Sequence, residues 1–238
     1  KGAYQREFDR MAGGMNQNIG VPMMLEMIPA LKELWKGDYE HNGEYWQWPS
    51  ATSVPKCLQD PHPPIWVAAR DPGTFNASVK EGHHIMTWAL TRPFAEVETY
   101  MQHFEDALAL APGIERPRFM TMRHTAIFEN DAEKDIHIAA VQHQGRQFEN
   151  LFRNLEPVLN GFPQPADPEV LVNQSEYTEE NLMNNLIFGS PEQAIENLKQ
   201  YETLGVDYFC YNASFGVPMA EQKKSLRLFI DKVMPAFQ

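Results

Sequence analysis

The stretch Pro61-His62-Pro63-Pro64-Ile65-Trp66-Val67-Ala68-Ala69-Arg70-Asp71 constrains the fold of this chain more than any other. Each proline fixes its own φ and pushes its predecessor toward extended geometry, so the lead-in is stiff and non-helical. Five apolar residues follow, Ile65 to Ala69, and a charged pair with Pro72-Gly73 closes the run. A short continuous apolar run between turn residues predicts a strand buried on both faces, as in a parallel sheet. In α/β folds ligands meet the carboxyl ends of such strands, which here fall at Ala69, Arg70 and Asp71. The same residues read equally well as a core strand whose charged pair only caps the next helix.

Around this run, strands alternate with helices. Residues 1–20 are polar and Gly-punctuated and read as a strand exit followed by a loop. Pro22 opens a helix whose apolar residues, from Met23 to Trp35, follow a 3, 4 and 7 spacing, with a kink or break expected at Pro29. Asp38 to Pro49 reads as a hairpin about Asn42-Gly43. After the proline-led strand come a short helix (75–81), a strand (85–90), a helix from Pro93 to about Leu110, and a strand (118–128) with Met120, Met122, His124 and Ala126 on one face. Residues 131 to about 155 read as a helix capped by Asn130-Asp131. Ser190-Pro191-Glu192-Gln193 is a helix start with Ser as cap, Pro in the first position and Gln in the third. A strand at 206–211 and a helix from about 219 to 233 end the chain. Helices joining buried strands predict an α/β fold with a mainly parallel sheet, either a (β/α)8 barrel or an open doubly wound sheet. Four strands and one partial do not close a barrel, which takes about 250 residues.

Composition narrows the function. The 238 residues carry a net charge of −12, which gives nucleic acid or an anionic membrane no electrostatic support. Two cysteines, Cys57 and Cys210, fit neither a metal spacing nor a disulfide framework, which favours a reducing compartment such as the cytoplasm. No apolar run approaches the ~20 residues of a membrane span. His83-His84 invites a metal reading, but neighbours on a strand point to opposite faces, so no metal site is expected. There is no G-x-S-x-G, no Walker sequence and no G-x-G-x-x-G. Trp88 beside Thr87 at a strand end suits either a core position or a flat wall for a flat heterocycle. Lys1 and Arg70 are cations at apparent strand ends, placed either to balance a phosphate or to sit solvated at the surface.

Several segments together resemble the luciferase-like flavin monooxygenases, the bacterial luciferase superfamily. Lys1-Gly2-Ala3-Tyr4-Gln5-Arg6-Glu7-Phe8 is similar to that family's Arg-Gly-x-Tyr-x-x-Glu-Phe segment after its fourth strand. Leu34-Trp35-Lys36-Gly37-Asp38-Tyr39-Glu40 with Gly43-Glu44-Tyr45-Trp46 resembles its helix-to-hairpin region. Pro61 to Ala69 resembles the approach to strand five. Gly189-Ser190-Pro191-Glu192-Gln193, Gly205-Val206-Asp207 and Met234-Pro235-Ala236-Phe237 resemble the last βα unit.

The resemblance implies a TIM-type (β/α)8 barrel that uses reduced FMN, supplied by a separate flavin reductase, or in some branches a reduced deazaflavin. It implies a monooxygenase that inserts oxygen from a flavin hydroperoxide into a small organic substrate, the protein holding the ring and excluding water. Alternatives within the same resemblance are a deazaflavin-dependent dehydrogenase and a non-catalytic flavin-binding subunit. It also implies a single domain over 1–238, a dimer when complete, and first βα units lying upstream of Lys1; the proline-rich stretch from Glu156 to Val172 reads as an irregular excursion within an insertion at 156–185. Carried over residue by residue, Lys1 stands for an Arg that contacts the flavin phosphate. Ala69, Arg70, Asp71 and Thr74 fall beside the phosphate and ribityl chain, and Thr87 and Trp88 beside the isoalloxazine ring. Arg70 and Asp71 stand where bacterial luciferase has Glu and Ser, and no catalytic residue is assigned.

Overall fold

The computed structural model describes residues 2 and 4–237. The chain divides into residues 1–64 with 151–155, and residues 65–150 with 156–238. In the first of these units, helix α1 (Gln5–Met11) takes the place of the strand exit and loop that the polar sequence suggests. Local pairs explain the difference. Gln5 Nε2 donates to Asp9 Oδ1 at 2.8 Å, four residues on, and to the Met15 carbonyl, while Gln5 Oε1 accepts from Gln17 N–H. Helix α2 (Gly20–Lys36) follows and runs unbroken through Pro29. The proline deprives the Leu25 carbonyl of its intrahelical donor without ending the helix.

The predicted hairpin forms from β1 (Tyr39–Asn42) and β2 (Gln47–Ala51), paired antiparallel. Its turn is organised from outside by Glu26 of α2, whose carboxylate accepts from the N–H groups of Glu44, Tyr45 and Trp46 at 2.8–3.2 Å. A side chain at Gly43 could not coexist with this clasp, since its Cβ would lie 2.0 Å from Glu26 Oε1. His41 Nε2 adds a contact at 3.1 Å. Burial pushes the Glu26 carboxyl up, but the backbone donors and His41 together hold it below its ordinary value.

The second unit is built on parallel strands, as the alternating pattern predicts. In order these are β3 (Trp66–Ala68), α3 (Pro72–Lys80), β4 (His84–Trp88), α4 (Phe94–Ala109), β5 (Phe119–Ile127) and α5 (Asp131–Arg153). The stretch that follows holds a two-residue ladder, β6 (Val158–Leu159) with β7 (Phe162–Pro163), two 3-10 turns and α6 (Glu179–Asn185). Then come β8 (Ile187–Gly189), α7 (Pro191–Leu204), β9 (Tyr208–Asn212) and α8 (Met219–Leu228), which runs into a π turn at Phe229–Val233. Strand β5 is central and pairs in parallel with β4, β8 and β9, and β3 pairs with β4. Among the described residues the strands form an open sheet.

Sequence reasoning misses β8. It has three residues, all buried, too few to show any period. The helix after it begins as expected. Ser190 and Gln193 form the reciprocal capping pair, with Pro191 in the first turn. Helices α3, α4 and α7 cover one face of the sheet, their Phe75, Phe104 and Leu198 packing with Ile85, Phe119 and Ile187 from the strands.

Candidate functional site

Parallel register sorts the strand residues onto two faces. Ile85, Phe119, Thr121 and Arg123 lie on the helix-covered face, all buried. The opposite face carries Met86 beside Met120, Trp88 beside Met122, and His124 beside Asn212. Most of these side chains are half-buried and either soft or aromatic, which suits a flat apolar ligand.

At the carboxyl end of β3, Ala69 is buried and its N–H bonds the Met86 carbonyl. Arg70 is exposed, yet its Nε donates to Tyr100 Oη at 3.2 Å, and Tyr100 donates in turn to Glu96 at 2.6 Å. Burial and then Glu96 push the Tyr100 phenol up, against the opposing pull of Arg70. Asp71 caps α3, accepting from Thr74 N–H at 3.0 Å and from the Thr74 hydroxyl at 2.8 Å. A carboxylate therefore already sits on the positive end of this helix. Arg70 is the predicted cation at this strand end. Lys1, the other predicted cation, lies outside the described residues.

At the end of β4 the two predicted neighbours part company. Thr87 is on the helix-covered face, 5% exposed, with its hydroxyl donating to the Met120 carbonyl. Trp88 is on the open face, edge-on to His124 at 5.5 Å and to Phe148 at 5.8 Å. Its indole N–H is buried and has no acceptor among the described residues.

Two further residues shape this end of the sheet. Arg123, fully buried, donates from its guanidinium to the carbonyls of Leu90, Arg92 and Asn185. Asn185 Nδ2 also donates to the Thr91 carbonyl at 2.9 Å, so the loop after Trp88 is fastened at three consecutive carbonyls. A cation within an apolar strand was the one available sequence signal for Arg123. His124, behind Trp88, is pulled down to about 3, first by burial and then by Arg123, and is therefore neutral. Asn212 Nδ2 lies 3.2 Å from its Nδ1, an arrangement that puts the ring proton on Nε2. His137 is also buried and pulled down by burial to about 4; it packs among Phe128, Phe188 and Phe215, the last of which also meets the His124 ring at 4.8 Å.

Among the described residues no group of three or more His, Cys, Asp or Glu is placed to hold a metal ion. No described helix is long and apolar enough to cross a membrane.

Residues 1–208 match the family model described as luciferase-like monooxygenase. The oxygenase component of the flavin-dependent trigonelline monooxygenase of Acinetobacter baylyi is 40% identical over 239 residues, which are 100% of this chain and 66% of that protein. Among solved structures, the chain is similar to an F420-dependent secondary alcohol dehydrogenase in complex with an F420-acetone adduct. The TM-score is 0.71 at 15% identity, covering 97% of this chain and 66% of that one. It is also similar to the oxygenating constituent of 3,6-diketocamphane monooxygenase of Pseudomonas putida in complex with FMN. There the TM-score is 0.63 at 16% identity, covering 99% and 69%.

Proposed function

This chain belongs to the luciferase-like monooxygenase family, and on that premise we propose that it acts in the oxygenase component of a flavin-dependent monooxygenase that oxygenates a small organic compound. The observation that carries this is the 40% identity to the Acinetobacter oxygenase component along the whole chain. The two solved structures share only the fold at this identity, and one is named for F420 and the other for FMN. The relative is named as flavin-dependent, which supports a flavin over F420, and reduced FMN is the proposed cofactor. The words "oxygenase component" support a separate reductase as the source of reduced flavin.

Bound flavin would supply the reduced ring that activates oxygen. The chain's own residues would hold and shield it. Trp88, with Met86 and Met122 on the same face, offers a flat wall and one buried N–H without an acceptor among the described residues. Arg70 would supply charge for the phosphate, and Ala69, Asp71 and Thr74 would form the backbone and capped turn beside it. Thr87 would act one step removed, keeping β4 in register with β5.

The test is substrate-dependent oxygen uptake by the full-length protein with FMN, a flavin reductase and NADH, trigonelline being the first compound assayed. Uptake coupled to an oxygenated product detected by mass spectrometry supports the proposal. Failure to bind reduced FMN while reduced F420 binds refutes it.

A further inference from the structure

Between α5 and residues 168–178 lies a groove of about 580 Å³. Ala139, His143 and Arg146 line its α5 side, and Leu171, Val172 and Tyr177 line the other. The groove is braced by hydrogen bonds across it. Gln142 Nε2 donates to the Tyr177 carbonyl at 3.0 Å, and the Ala166 N–H donates to the Arg146 carbonyl at 3.2 Å.

Arg146 is the unusual member. Its Nε donates to the Ala166 carbonyl, which fixes the side chain, yet its terminal nitrogens have no carboxylate partner among the described residues. Arg116, Lys134 and Lys224 each hold a carboxylate, whereas among the described residues Arg146, like Arg70 and Arg123, does not. A guanidinium anchored through Nε presents its other two nitrogens as a planar fork, the shape that a single carboxylate matches with two parallel bonds.

Tyr177 gives the groove its inner wall. A Cβ on Gly145 would lie 2.3 Å from Tyr177 Cε1, so the ring rests directly on the backbone of α5. On its far side is a smaller cavity lined by Leu90, Thr91, His124 and Phe148, the last two being the ring neighbours of Trp88. The tyrosine therefore stands between the groove and the aromatic face at the end of β4.

We propose that this groove binds a small planar monocarboxylate, with the carboxylate on the Arg146 fork and the ring against Tyr177. One cation and one flat wall select a singly charged planar anion over a phosphate, which calls for more donors. The site stands on this geometry; only the identification of its ligand as the substrate rests on the proposed monooxygenase function.

The test uses benzoate and its neutral isostere benzamide, titrated calorimetrically into the full-length protein without flavin. Benzoate should bind at least about tenfold more tightly than benzamide, the fold-change expected of one charge-assisted pair. Arg146→Gln should remove that preference and Arg146→Lys should retain part of it. Ala139→Trp, at an exposed helical position that leaves the Arg146 contacts in place, should block benzoate by filling the groove. Equal binding of the two probes, no binding of benzoate, or benzoate affinity unchanged in either Arg146→Gln or Ala139→Trp would overturn the proposal. Because the titration contains no flavin, benzoate binding without oxygen uptake supports the groove while counting against the monooxygenase reading, and the reverse result does the opposite.

Discussion

Arg123→Met sets two opposed effects against each other. The guanidinium is fully buried and faces backbone carbonyls, Leu90 O at 3.3 Å, Arg92 O at 2.7 Å and Asn185 O. Met has similar reach and no charge, so the substitution relieves the cost of holding an ion out of water, and swaps of that kind are stabilising when every partner is replaced as well. Here the partners are main-chain carbonyls and remain. Each one left dry costs about 1–3 kcal/mol. Three carbonyls at the low end of that range already give about 3 kcal/mol of lost stability, which we set above the relief of a charge that makes three hydrogen bonds from its terminal nitrogens while its buried Nε has no partner among the described residues. For a domain of this size that is a fall in Tm of about 6–12 °C. Arg123→Lys, a point charge without the fork, should recover only part of the loss. The measurement is urea unfolding followed in parallel by tryptophan fluorescence and far-ultraviolet circular dichroism. If Arg123→Met unfolds within about 1 kcal/mol of the wild type, or is more stable, the buried charge outweighs its carbonyl contacts and the reasoning fails.

Four further outcomes are expected. Arg70→Ala should weaken FMN about tenfold and leave riboflavin unchanged, as loss of one charge-assisted phosphate contact requires; equal effects on the two ligands would remove Arg70 from the phosphate. Above pH 6.5 His124 and His137 are neutral in folded and unfolded chain alike and contribute nothing. Below 6.5 the unfolded chain takes up protons that the folded chain refuses until about pH 4 at His137 and about 3 at His124. Stability should therefore fall between pH 6.5 and about 4.5, by about 1.4 kcal/mol per pH unit for each histidine at most, and a double His→Gln variant that does not flatten this slope refutes the assignment. Glu26→Gln should speed amide hydrogen exchange at Glu44, Tyr45 and Trp46 selectively, whereas uniform exchange across the hairpin would show that the carboxylate does not organise the turn. Gly145→Ala should destabilise by about 1–3 kcal/mol through the clash with Tyr177, but in a Tyr177→Ala background the same change should become neutral or gain up to about 1 kcal/mol of helix propensity.

The parts of the fold visible in the sequence are those with long periods or strong punctuation. The spacing from Met23 to Trp35, the proline-led β3 and the capping pair at Ser190 each carry several redundant signals, and each forms where expected. Helix α1 was hidden because its support is a set of side-chain bonds from Gln5, invisible to any count of polarity. Strand β8 was hidden by brevity. Asn42-Gly43 predicts the hairpin, but the turn's backbone donors are satisfied by Glu26, seventeen residues earlier than Gly43 in the chain, a contact that only the fold creates. Arg123 escaped notice for a related reason: its partners are carbonyls, and carbonyls leave no mark in a sequence.

The pair Thr87-Trp88 shows where a carried-over site needs geometry beside it. The family resemblance sets both residues beside one ring, yet successive strand side chains point to opposite faces. The hydrogen bond from Thr87 to Met120 O and the Trp88 contact with His124 put the two on opposite sides of β4. The same alternation that reads Ile85 as core therefore also sorts the candidate ligand wall, to Met86 and Trp88 on one strand and Met122 on the next. Thr87 then influences a ligand through the register of β4 against β5, so Thr87→Val, which keeps shape and deletes the hydroxyl, should disturb stability before it disturbs flavin binding. Trp88→Leu should do the reverse, because its indole faces the open side and its N–H makes no bond among the described residues whose loss would be felt in folding. If the two substitutions affect flavin affinity alike, the division of the sheet into a core face and a ligand face does not govern this site.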